Sequence, residues 1–94
     1  MFSSKDIDSI DKEYFEVKEA SYGCIVLQSR NTGHLWCVTG SGIGNGVTLR
    51  HKHKWADTWH PQSFYMKGRH NLAGAIKAIQ AHDEFIALAQ NPIF

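Results

Sequence analysis

The sequence predicts an α+β fold: an antiparallel sheet of about four to five strands, one long C-terminal helix packed on one face, and a short N-terminal helix. Three observations predict it. Leu72, Ala75, Ile76, Ile79, Asp83 and Ile86 recur at the three-four spacing of one helical face. From residue 14 to residue 69 the apolar residues instead alternate in short runs parted by turn-forming residues, the period of strands buried on one side. The chain has 94 residues, enough for a single domain over 1–94 with one modest core.

In chain order, Ser4 is placed to cap a first helix running through Ile10, with acids in its first turn as the helix dipole prefers. Tyr14 to Ala20 alternates, Phe15 and Val17 on one side and Glu16 and Lys18 on the other. Cys24–Arg30 and His34–Thr39 read as a hairpin closed at Asn31-Thr32-Gly33, with Arg30 opposite His34 and Leu27 opposite Cys37. Residues 40–46 carry four of the eight glycines and form a loop. Val47–Lys54 and Ser63–Arg69 alternate again, separated by a loop over 55–62 that holds Trp55 and Trp59. Asn71 caps the long helix over 72–89, and Asn91-Pro92 ends it.

Composition narrows the function classes. No apolar run approaches the roughly 20 residues that span a bilayer, so no membrane partner is expected. The first residues lack a basic region followed by an apolar stretch, so no secretory signal is expected either. Two cysteines are too few for a disulfide scaffold. The hairpin register above sends Cys24 and Cys37 to opposite faces, so no disulfide is expected and a reducing cytoplasm is the expected compartment.

The formal net charge of +1 hides an uneven distribution. Residues 1–20 set Asp6, Asp8, Asp11, Glu13, Glu16 and Glu19 against Lys5, Lys12 and Lys18. Residues 21–70 set Arg30, Arg50, Lys52, Lys54, Lys67 and Arg69 against Asp57 alone. The acidic start is able to lie against this basic middle within the fold. If the helix covers the face bearing Phe15, Ile25, Leu27, Leu35, Cys37, Val47 and Leu49, the other face receives the cations. On it fall Arg30, Trp36, Arg50, Lys52, Lys54, Tyr65, Lys67 and Arg69, beside Gln28, His34, Val26 and Val38. Cations set among exposed rings are the chemistry of single-stranded nucleic-acid binding, where bases stack and phosphates pair. An exposed sheet face is also commonly cationic for solubility alone. The expected function is a non-enzymatic binding protein that engages nucleic acid or a nucleoprotein complex through this face and the loop of Trp55 and Trp59.

His51 and His53, two apart on a strand, point to one side as a chelate requires. His60, His70 or Asp57 are candidates to complete a site, but no spacing fixes a third ligand. The alternation places both histidines on the helix side, where a packed, hydrogen-bonded role is expected and no metal or cofactor. Catalytic signatures are missing: Cys37 sits mid-strand, adjacent His82 and Asp83 point about 100° apart on a helix, and the glycine loop precedes no helix. One enzymatic alternative is a small ribonuclease using His51, His53, His60 or His70 among the cations. In size and character, though in no stretch that aligns residue by residue, the chain resembles small phage- and prophage-encoded inhibitors, anti-CRISPR proteins among them. That resemblance implies a further alternative, in which Trp36, Trp55, Trp59 and Tyr65 anchor a host protein.

Overall fold

In the computed structural model, which describes residues 2–40, 46–62 and 71–90, five strands follow one another across an antiparallel sheet. They are β1 (Phe15–Ala20), β2 (Cys24–Ser29), β3 (Leu35–Gly40), β4 (Val47–Lys52) and β5 (His60–Gln62). A short helix, α1 (Ser4–Asp8), precedes them, and a long one, α2 (Leu72–Gln90), packs on one face. This is the expected α+β architecture. β5 lies inside the segment read as the Trp-rich loop; the strand expected over 63–69 lies outside the described residues. Among the described residues β5 pairs with β4 alone, an edge position that suits Pro61.

Local chemistry sets the helix starts. Ser3, one residue before the expected cap, opens α1 with a reciprocal box: its Oγ accepts from Asp6 N–H at 3.1 Å, and the Asp6 carboxylate accepts from Ser3 N–H at 2.9 Å. Ser4 would have offered Ile7 in the third position, which has no acceptor. The helix stops at Asp8, where Lys12 Nζ donates to the Ile7 and Asp8 carbonyls and satisfies the negative helix end. At α2, Asn71 caps as expected, its Oδ1 accepting from Gly74 N–H at 2.8 Å.

The core collects Phe15, Ile25, Leu27, Trp36, Val38 and Leu49 from the sheet against Leu72, Ala75 and Ile79 of α2, with Phe2 and Ile10 closing one side. Trp36 and Val38 in that set are a correction to the expected face of β3. The β2–β3 turn is four residues long, not three: Ser29 N–H donates to the His34 carbonyl, and Gly33, at φ 76°, donates to Ser29. Positive φ at this position suits glycine, which has no Cβ to clash. The ladder consequently pairs Leu27 with Trp36 and Val26 with Cys37. A one-residue shift turns every β3 side chain over. The competing register would put the Trp36 ring outside and Leu35 and Cys37 inside. Burying the indole removes more apolar area from water, and its Nε1 finds Ser29 Oγ at 3.1 Å.

The same shift overturns the expectation for the cysteines. Both lie on the face away from α2, with Cys24 Sγ 3.4 Å from Cys37 Sγ and both thiols free. Burial, then the Cys37 contact, pushes the Cys24 thiol up to about 11, so it is protonated and a weak nucleophile at neutral pH.

Asp83, the polar member of the helical stripe, is fully buried. Its Oδ2 accepts from the Tyr14 hydroxyl at 2.8 Å and its Oδ1 from the Thr32 hydroxyl at 3.0 Å. It thereby ties α2 to the approach to β1 and to the β2–β3 turn. Burial, then the Asp83 carboxylate, pushes the Tyr14 phenol up to about 12. Replacing Asp83 by alanine strands both hydroxyls and is expected to cost about 1–3 kcal/mol, read as a lower urea midpoint; an unchanged midpoint would show that the network does not hold the helix. Ile79→Asp puts an unpaired charge in the core and is expected to abolish cooperative thermal unfolding. Ile76→Asp, at the half-buried edge of the same helix, is expected to keep a transition at a lower midpoint. Equal melts for the two variants would contradict this packing.

Candidate functional site

Strand period and ladder register bring the histidines together. Trp36 faces His51 across β3 and β4, so His34, two residues before Trp36, and His53, two after His51, fall beside one another on the helix side. The His34 and His53 rings stack at 4.4 Å between centroids, and Trp36 stacks on His51 at 4.0 Å. His51 Nε2 lies 3.1 Å from His34 Nδ1, a hydrogen bond in which one ring donates and the other accepts. His82 of α2 meets Trp36 and His51 edge-on at 5.3 and 5.0 Å, and its Nε2 is buried without a hydrogen-bond partner. His60 of β5 pairs with His51 on the other side.

His34 and His51 are buried and His53 is exposed, so the cluster opens to solvent at one end. There, His51, Lys52, His53, Asp57 and His60 line a depression of about 140 Å³. One ring nitrogen from each of His34, His51 and His53 lies within 4.8 Å of the others. Sequence reading found His51 and His53 and the correct face for both. It missed His34 and His82, because His34 reaches this side only in the four-residue-turn register and His82 comes from a distant helix.

Burial, followed by repulsion from His34, His82, His53 and His60, pushes His51 down to about 4. Burial, then His53, also lowers His34. Both rings are neutral at pH 7.

On the other face, among the described residues, part of the expected surface is closed to solvent. Val26, Leu35, Cys37 and Lys52 are buried there, and Trp36 has left it for the core. Lys52 is the organiser of the remaining cationic rim. Its Nζ donates to the Trp55 carbonyl at 2.8 Å and sits 4.6 and 4.4 Å from the Trp55 and Trp59 ring centroids, a cation–π pair strengthened by desolvation. Asp57 closes the intervening turn, its carboxylate accepting from Lys54 N–H at 3.1 Å. Trp55 remains 64% exposed, with Arg50 and Lys54 exposed nearby in the chain. Arg30 lies apart, at the β2–β3 turn, with its Nε donating to the Lys12 carbonyl. Tyr65, Lys67, Arg69 and His70 lie outside the described residues. Comparison of the chain with protein-family models, with curated proteins and with solved structures gives no match.

The histidine cluster generates a pH prediction for the metal-free protein. A ring whose pKa is lower in the folded state takes its proton preferentially in the unfolded chain. Stability is therefore full above the ordinary histidine value of 6.5 and is lost as the pH falls from there towards about 4. Thermal midpoints measured across that interval should fall with pH for the wild type and fall less for His51→Gln. A flat profile for the wild type would show that these rings are not buried in the neutral form.

Proposed function

We propose that this protein is a non-enzymatic binding module that engages single-stranded nucleic acid through the rim formed by Trp55, Trp59, Arg50 and Lys54. The observation that carries the reading is the Lys52 clamp. A buried lysine has given up most of its water and holds two indoles and a loop carbonyl in return. The clamp orders the loop in advance and leaves Trp55 largely exposed, with the exposed Arg50 and Lys54 shortly before it in the chain. An exposed ring offers a base a stacking surface, and flanking cations pair phosphates. Pre-ordering lowers the entropy cost of binding.

For His51 the ribonuclease alternative is weakened by the electrostatics: a general acid works best with a pKa near the operating pH, and burial holds this ring near 4. Phe85 and Leu88, 68% and 62% exposed on the last turns of α2, favour a second reading. In it a protein partner docks there and on Trp55; the resemblance to phage-type inhibitors implies a protein partner, though one anchored by Trp36, Trp55, Trp59 and Tyr65. No helix among the described residues is long and apolar enough to cross a membrane.

Titration of fluorescent single-stranded oligonucleotides at increasing salt tests the first reading. Affinity is expected to fall steeply with salt through counterion release. Trp55→Ala should weaken binding by about 1–3 kcal/mol, the value of one stacked base. Arg50→Ala with Lys54→Ala should flatten the salt slope by about 0.7 for each phosphate left without its cation. Lys52 is excluded from that set because its removal would collapse the loop itself. No binding at low salt would overturn the reading, and a salt-insensitive protein complex abolished by Trp55→Ala would establish the second.

A further inference from the structure

We propose that His34, His51 and His53 form a binding site for one zinc-class transition-metal ion, with the fourth coordination position open to the depression beside Asp57 and His60. The site goes beyond the nucleic-acid reading and uses different side chains. Sequence reading assigned no metal because a pair of histidines two apart lacks a third ligand of known position. The β3–β4 register supplies it.

The geometry is close to that of a bound site. A tetrahedral centre with bonds of about 2.0–2.1 Å to nitrogen sets its ligand atoms about 3.3 Å apart. His34 Nδ1 and His51 Nε2 already stand 3.1 Å apart. A ring nitrogen of His53 lies within 4.8 Å of one nitrogen from each of the other two rings. His53 is the exposed member of the set, so a change of its side-chain torsions brings it into range without disturbing the core. For the ion to replace the present hydrogen bond, the donating ring changes tautomer and carries its proton on its other nitrogen. Each ring then presents a lone pair to the metal, and no imidazole has to lose a net proton.

Ligand type sets the metal class. Three imidazoles without a carboxylate in the set suit zinc and its late first-row neighbours and do not suit calcium or magnesium, which take oxygen. The depression of about 140 Å³ has room for water on the metal at the solvent side. Packing on the protein side keeps one of the two inner ligands, His51, in place: Trp36 stacks on it and His82 meets it edge-on. That support limits the ordering needed when the ion binds.

The test uses the untagged 94-residue chain, stripped with chelator and titrated with zinc chloride by calorimetry. Elemental analysis follows after gel filtration. One zinc per chain is expected, with a rise in thermal midpoint. Cobalt in place of zinc is expected to give the intense visible absorption of a tetrahedral site. His53→Gln, whose exposed side chain is not needed for folding, should weaken zinc binding at least tenfold while its metal-free melt matches the wild type. Cys24→Ser with Cys37→Ser, on the opposite face, should bind zinc as the wild type does. Wild-type protein that retains no zinc would overturn the proposal. So would zinc binding that survives His53→Gln, or that disappears with the two cysteines.

Discussion

The hydroxyl of Thr32 and the carboxylate of Asp83 hold the β2–β3 turn against α2, and the four-residue length of that turn sets the register of the central ladder. Much of the chemistry of this protein follows from that register. It places Trp36 and Val38 under the helix and Leu35 and Cys37 on the far side. It brings the two thiols within 3.4 Å. Through the next ladder it puts His34 next to His53 and Trp36 against His51. A β2–β3 ladder slipped by one residue would keep most of the backbone pairing, but it would turn Trp36 and His34 to the other face and part the two thiols.

A buried carboxylate is a costly way to anchor a helix, because its water must be replaced by hydrogen bonds. Asp83 receives two from hydroxyls that belong to different parts of the chain. An apolar residue at that position would spare the desolvation but would accept no hydrogen bond from either the turn or the approach to β1. The polar contact therefore adds direction to an otherwise apolar interface, in which Leu72, Ala75 and Ile79 would tolerate small sliding of the helix.

Two chemically distinct regions meet at the end of β4. His51 and His53 face the helix side and join an imidazole cluster; Lys52, between them, faces the other side and gathers the indoles. The alternation of a single strand thus turns the metal-compatible histidines and the lysine of the cationic aromatic rim to opposite sides of β4. Because the loop that carries Trp55 starts at His53, a change in the orientation of His53 moves the first residue of that loop. The two regions are neighbours by covalent connection as well as by position.

The periodicity of single segments was enough to establish the helix over residues 72–89 with its Asn71 cap, the inward faces of β1, β2 and β4, and the helix-side position of His51 and His53. Those properties depend on residues a few positions apart, which a linear reading sees directly. It was not enough for β3. Leu35-Trp36-Cys37-Val38 is apolar on both of its faces, so alternation offers no preference for which face is buried, and the decision passes to the partner strand and to the turn. The closeness of Cys24 and Cys37, the arrival of His34 and His82 at the cluster, and the burial of Lys52 under two tryptophans all arise from tertiary pairing. Register is a relation between two strands, and only the packed structure, with the Trp36 ring inside and Asp83 holding the turn, contains it.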